Sequence, residues 1–297
     1  MLGFIKLKSK TGMIKVIKPG FYSTIQDLGR YAYQDFGVPY AGVMDQLSAQ
    51  LANHILGNNL NDAVLEITMK GPELEFLSPT LICVSGAQMN PMLNKTPVHM
   101  NKMISVEKGT ILSFGKLESG VRCYLSVRGG FQTELIMRSR SMYSGITKQI
   151  TISKGDELEI GEVNRFLADK NAHVKVNAHH ISEHVIEAYE GPEFSKLSKE
   201  AQHILKAQEF TISNDNSRMA YQLKELLQND LDAILTTPVL PGTVQLTPSG
   251  KLIVLMRDCQ TTGGYPRVLQ LSSQAINVLS QKLTGTKIKF KIVSIEF

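Results

Sequence analysis

The sequence predicts a mainly β fold with a few helices, arranged as two β-rich halves. Three observations carry this. Short apolar runs rich in branched and aromatic residues recur along the chain, broken by Gly, Pro, Asn and Asp, a spacing that suits barrels or sandwiches. Helix-period patterns are few. The octapeptide 46–53 matches 270–277 at five of eight positions, which hints at two related halves.

Taken in order, residues 14–17, 63–68, 80–84, 110–114, 121–127, 158–160, 210–212 and 287–296 read as strands. In the last, Lys287, Lys289 and Lys291 alternate with Ile288, Phe290 and Ile292, so one face is buried and the lysine face is wet. Leu47, Leu51, Ala52, Ile55 and Leu56 repeat at helix spacing, with Asp45 as N-cap and Gly57 as stop. Ala275, Ile276, Leu279 and Leu283 repeat likewise, with Ser272 or Ser273 as cap and Gly285 as stop. Two further helices are expected near 198–206 and 217–227. The triplet Gly-Pro-Glu occurs at 71–73 and at 191–193. The polar stretch 162–178 is the expected boundary, giving domains of 13–165 and 166–297, and residues 1–12 read as an appendage, disordered or artefactual.

A chain of 297 residues has room for two domains. Its 42% hydrophobic and 20% charged content describes an ordinary globular protein. The excess of 32 basic over 27 acidic residues is mild, without a basic block interleaved with aromatics, so nucleic-acid binding is not indicated. The apolar patch near the start is too short for a membrane span or a signal peptide. Cys83, Cys123 and Cys259 are widely spaced and odd in number, which points to free thiols in a reducing cytoplasm. His179, His180 and His184 lack the partners of a tetrahedral metal set and read as a solvated run. No metal site is expected, and no P-loop or G-x-G-x-x-G motif is present.

The chemistry concentrates in Asp258-Cys259-Gln260-Thr261-Thr262-Gly263-Gly264-Tyr265-Pro266, directly after the apolar run 252–256. Paired glycines permit positive φ and close approach of a ligand. Their successive N–H groups can form a nest for phosphate, carboxylate or an oxyanion. Gln260, Thr261 and Thr262 add side-chain donors, and Asp258 a carboxylate. The competing reading is a tight turn whose threonines bond their own backbone. Since neighbouring strand residues face opposite sides, only one of Arg257 and Asp258 reaches a shared pocket; Asp258 is the choice. A second cluster holds Gln26, Asp27 and Arg30, with Asp45 following. Its alternative is an Asp27–Arg30 surface pair closing a β-turn. Arg218 is a third candidate.

The segment 258–266 resembles the D-x-QTTGGYP signature of the KipA family, also called allophanate hydrolase subunit 2 or biotin-dependent carboxyltransferase subdomain B, which includes the C subunit of bacterial 5-oxoprolinases. Lys18-Pro19-Gly20, Thr24-Ile25-Gln26-Asp27-Leu28-Gly29-Arg30 and Gly37 to Asp45 resemble its opening motif. Leu65-Glu66-Ile67-Thr68, Gly71-Pro72, Ser85-Gly86-Ala87 and Ser217-Arg218-Met219 follow in the family's order. Arg138-Ser139-Arg140-Ser141 departs from its G-S-R-S-T, and Ser217 stands where aspartate is common. The resemblance implies two cyclophilin-like β-barrel halves. It also implies ATP-dependent cleavage of 5-oxo-L-proline to L-glutamate, with companion subunits A and B. Asp258, Thr262 and Arg30 are then the expected catalytic residues. Gln260, Thr261, Gly263, Gly264, Arg218 and Asp45 would bind substrate or phosphate. ATP, with or without Mg²⁺, would be the cofactor, and this chain has no Met-Lys-Met biotin acceptor. Two alternatives are a regulatory protein binding a KipI-like histidine-kinase inhibitor (the homologue of the B subunit), and a carboxyltransferase half of a urea-carboxylase-like enzyme.

Overall fold

A computed structural model describes residues 11–161 and 179–294. Residues 1–10 of the expected appendage and the expected boundary segment, 162–178, lie outside these. The fold is mainly β, as expected. The first strand, Gly12–Lys18, begins inside the stretch read as an appendage.

In the first half, two sheets enclose one core. A six-stranded sheet runs in the order Glu157–Ile160, Gly12–Lys18, Glu73–Phe76, Ile111–Phe114, Pro91–Leu93, Thr96–Pro97. A five-stranded sheet runs Tyr22–Gln26, Val64–Thr68, Ser119–Val127, Thr80–Gln88, Ile104–Val106. Ile14, Val16, Ile25, Leu65, Phe76, Ile82 and Leu125 are fully buried between them.

The second half is a closed seven-stranded barrel: Val185–Glu190, Arg267–Leu271, Thr243–Leu246, Leu252–Leu255, Ala220–Leu223, Glu209–Asn216 and Lys287–Ile292. The last strand closes the ring by pairing parallel with the first, Val185 opposite Lys289. Its lysines are exposed while Ile288 and Phe290 are buried, and the Phe210 and Phe290 rings pack 5.6 Å apart in the barrel core. Met44, from the first half, is fully buried in that same core.

Four helices occur among the described residues: α1 (Gln46–Leu56), α2 (His179–Ser182), α3 (Lys199–Ala207) and α4 (Ser273–Ser280). Asp45, Ser198 and Ser272 cap α1, α3 and α4 through side-chain oxygens. The helix expected over 217–227 is absent. Ala220–Leu223 is a strand with Tyr221 and Leu223 turned inward, because pairing to the strands on either side outweighs local periodicity. The similar octapeptides occupy different places: Gln46 opens α1, whereas Gln270 and Leu271 end a strand before α4. The Gly-Pro-Glu triplet leads into a strand at Glu73 but follows one at Gly191.

Candidate active site

Glu66 and Arg122 sit in strands that are mainly apolar, and each is almost fully buried. Buried charges need partners, and these come from both halves. The Glu66 carboxylate accepts the Met44 N–H at 2.7 Å and the Tyr124 hydroxyl at 2.9 Å. It also takes Arg218 Nη1. Arg218, on the turn before Ala220–Leu223, donates Nε and Nη2 to the two oxygens of Asp258 at 2.8 and 2.9 Å. Nη2 bonds the Gly42 carbonyl as well, at 2.6 Å. Arg122 donates Nη1 to the Tyr221 hydroxyl and to the Ser280 carbonyl. Burial opposes the Arg218 charge, but Asp258 and Glu66 hold its pKa well above the ordinary arginine value. Burial also pushes the Asp258 carboxyl above its ordinary range, against the pull of Arg218.

This network floors a cleft of about 780 Å³ between the halves. Phe21, Met69, Val121, Ile150, Met219 and Leu283 form apolar walls. Tyr22 and Tyr143 also line it, and burial raises both phenols above their usual range, keeping them neutral donors. The arrangement suits a small, largely apolar ring with a polar edge turned to Asp258.

The structure brings together only part of the expected site. Asp258 and Arg218 meet, and four of the five N–H groups of Arg218 are already bonded, which leaves one on Nη1 and no free fork for phosphate. Gln260, Thr261, Thr262, Gly263 and Gly264 do not line the cleft. Neither glycine has positive φ, and Thr262–Gly263 pairs with Thr237–Pro238 as a short ladder, so the expected nest does not form. Gly263 is small for another reason: a Cβ there would lie 2.4 Å from Gln245 Nε2. These residues do not fit a nucleotide phosphate.

Arg30 is fully buried and does not line the cleft, its Nη2 donating to the Ser141 carbonyl at 2.5 Å. The Asp27–Arg30 surface pair is absent too. Asp27 is buried and accepts from Gly29 N, Ser139 Oγ, Ser141 Oγ and Arg140 N at 2.7–2.9 Å. The Arg138–Ser141 segment thus anchors the Asp27 turn. That turn is tight: Gly29 has φ +108°, and a Cβ there would lie 2.7 Å from the Tyr40 carbonyl oxygen.

Asp45 caps α1 and is closed to ligands. Its carboxylate takes Ser48 Oγ at 2.6 Å and Gln281 Nε2 at 2.8 Å, with His180 Nε2 at 2.9 Å. His180 is therefore docked rather than solvated, while His179 and His184 are exposed. No cluster suited to a metal occurs among the described residues. All three cysteines are free and buried, and burial pushes Cys259 up to about 12. No helix among the described residues is long and apolar enough to cross a membrane. Reading residue types locally missed Glu66, Arg122 and Gln281. The available signal was a charge inside an apolar strand.

Residues 36–292 match the family described as carboxyltransferase domain, subdomain A and B. The chain belongs to that family. Within this carboxyltransferase-domain family, it is 31% identical over 288 residues to the 5-oxoprolinase C subunit of Haemophilus influenzae, covering 96% of this chain and 92% of that one. The Escherichia coli 5-oxoprolinase C subunit is 30% identical over 291 residues, with the same coverage. The crystal structure of K. lactis urea amidolyase superposes with a TM-score of 0.85 at 26% identity, covering 97% of this chain but 19% of that longer one.

Proposed function

We propose that this chain is the C subunit of a heteromeric 5-oxoprolinase, which opens 5-oxo-L-proline to L-glutamate with ATP hydrolysis together with subunits A and B. One observation carries the reading: a carboxylate, oriented by a bidentate arginine, lies at the floor of an apolar cleft. Each carboxylate oxygen has two acceptor sites, and Arg218 occupies one on each. The remaining sites of Asp258 accept the lactam N–H, and the apolar walls take the ring methylenes. Tyr22 and Tyr143 are the donors for the ring carbonyl. The likeness to the two bacterial C subunits over nearly their whole length supports this substrate. ATP, and Mg²⁺ if used, would be held by the companion subunits, since the 261–264 stretch forms no phosphate nest.

The test is to mix the three subunits and measure ADP and glutamate release that depends on 5-oxo-L-proline. Asp258→Asn is expected to lower turnover about 10²-fold or more while the complex still assembles. Unchanged turnover would remove Asp258 from the mechanism. The superposition on K. lactis urea amidolyase favours a second reading, a carboxyltransferase acting on a different small amide; a requirement for a biotinylated carrier would select it. Binding to the KipI-like B subunit without turnover would instead select a regulatory role.

A further inference from the structure

Three arginines of the barrel half differ in how one edge of the guanidinium is used. The Nε–Nη2 edge is the fork that accepts a planar anion side-on. In Arg218 it holds both oxygens of Asp258 at 2.8 and 2.9 Å. In Arg267 it holds both oxygens of Glu193, at 3.1 and 3.0 Å. In Arg257 the same two nitrogens are buried and neither has a partner.

Arg257 is 9% exposed, and its carbonyl is fixed by the Ala41 N–H at 2.9 Å. It does not line the cleft, although Asp258, the next residue, does. Tyr31, Tyr124 and Asp45 lie within electrostatic reach of its guanidinium, but none bonds it. Asp45 is occupied by Ser48, His180 and Gln281. The Tyr124 hydroxyl donates to Glu66 and accepts from Asp45 N. Burial lowers the Arg257 pKa, as expected of a cation whose counter-charge is missing. Evolving polar partners for the forks of Arg218 and Arg267 while leaving this one empty is costly unless something else fills it.

We infer that Arg257 anchors a second binding site, separate from the cleft, that takes the carboxylate of a small molecule. The two filled forks in the same half hold carboxylates, and the empty edge has the same shape and donors. Tyr31, within electrostatic reach of Arg257, is 55% exposed.

The experiment uses the isolated full chain with formate and acetate, against chloride at equal ionic strength. Carboxylates are expected to shift one arginine Nε–H signal in the ¹⁵N spectrum and to raise Tm by about 3 °C at ten times Kd. Arg257→Met is expected to raise Tm without ligand, by removing an unpaired buried charge, and to abolish the response. Arg257→Lys keeps the charge but loses the fork and is expected to weaken binding at least about tenfold. No shift in either readout for the native chain overturns the site. So does an equal response to chloride, or an intact response in Arg257→Met. Should that variant fail to fold, the Nε–H titration of the native chain decides alone. Because binding is read without turnover, failure here does not touch the oxoprolinase reading, and the reverse holds as well.

Discussion

Arg218 stands between two carboxylates from different halves, bonded to Glu66 of the first and held by both oxygens of Asp258 of the second. Removing its charge leaves two buried anions with Arg122 as the remaining cation, whose Nε lies 3.7 Å from Glu66. Arg218→Met is therefore expected to destabilise the chain by about 3–5 kcal/mol. Adding Glu66→Gln should recover part of that. Urea unfolding of both variants checks it, and a double variant no more stable than the single one would refute the charge argument.

Asp45 supplies a pH-dependent part of the stability. Burial alone would raise its pKa, but the bond and charge of His180, with bonds from Ser48 and Gln281, bring it below its ordinary value of 3.8. Its contribution is thus fully present above that ordinary value and lost as pH falls through the lower folded value. Stability measured against pH should show Asp45→Asn less stable than the native chain at neutral pH, with the gap closing in acid. A gap independent of pH would show that the carboxylate charge contributes nothing.

Lys282 gives a rise of the same sign at higher pH, but as a cost of its charged form. It is buried, its amine donates to the Ile181 carbonyl at 2.6 Å, and burial lowers its pKa to about 8. Between about 8 and its ordinary 10.5, the unfolded chain binds more protons than the folded one, so this residue makes stability rise with pH there. Lys282→Met should flatten that rise and raise stability at neutral pH. Parallel pH profiles for the two proteins would count against it.

Two glycines should respond differently to a methyl group. At Gly29 the new atom meets the Tyr40 carbonyl oxygen at a positive φ, so Gly29→Ala combines strain with a backbone clash and is expected to cost about 3 kcal/mol or more. At Gly263 it meets side-chain atoms, the end of Gln245 at 2.4 Å and Val239 Cγ1 at 3.3 Å, rather than backbone, and about 1 kcal/mol is expected. Denaturation midpoints will rank them; equal losses would show that the Asp27 turn is softer than its contacts indicate.

How far the residues announced these features depends on the range of the interaction. The wet lysine face of 287–292 and the Asp45 cap of α1 were legible because they rest on neighbours in sequence. Glu66 was not, since its arginine partner lies 152 residues away, and only folding shows that an isolated charge in an apolar strand is paired. The stretch at Thr261–Gly264 suggested an anion cradle by composition, yet ladder pairing with Thr237–Pro238 decided its shape. Asp258 was found from its motif, and its fork to Arg218 only from the fold.

Met44 has a consequence for how the polypeptide can be divided. Its side chain is a dowel set from one half into the interior of the other. A barrel expressed by itself would keep an empty socket at its centre, and the detached partner would carry a greasy, uncovered peg. The halves should therefore melt together, and fragments split near the junction should be soluble only when co-expressed.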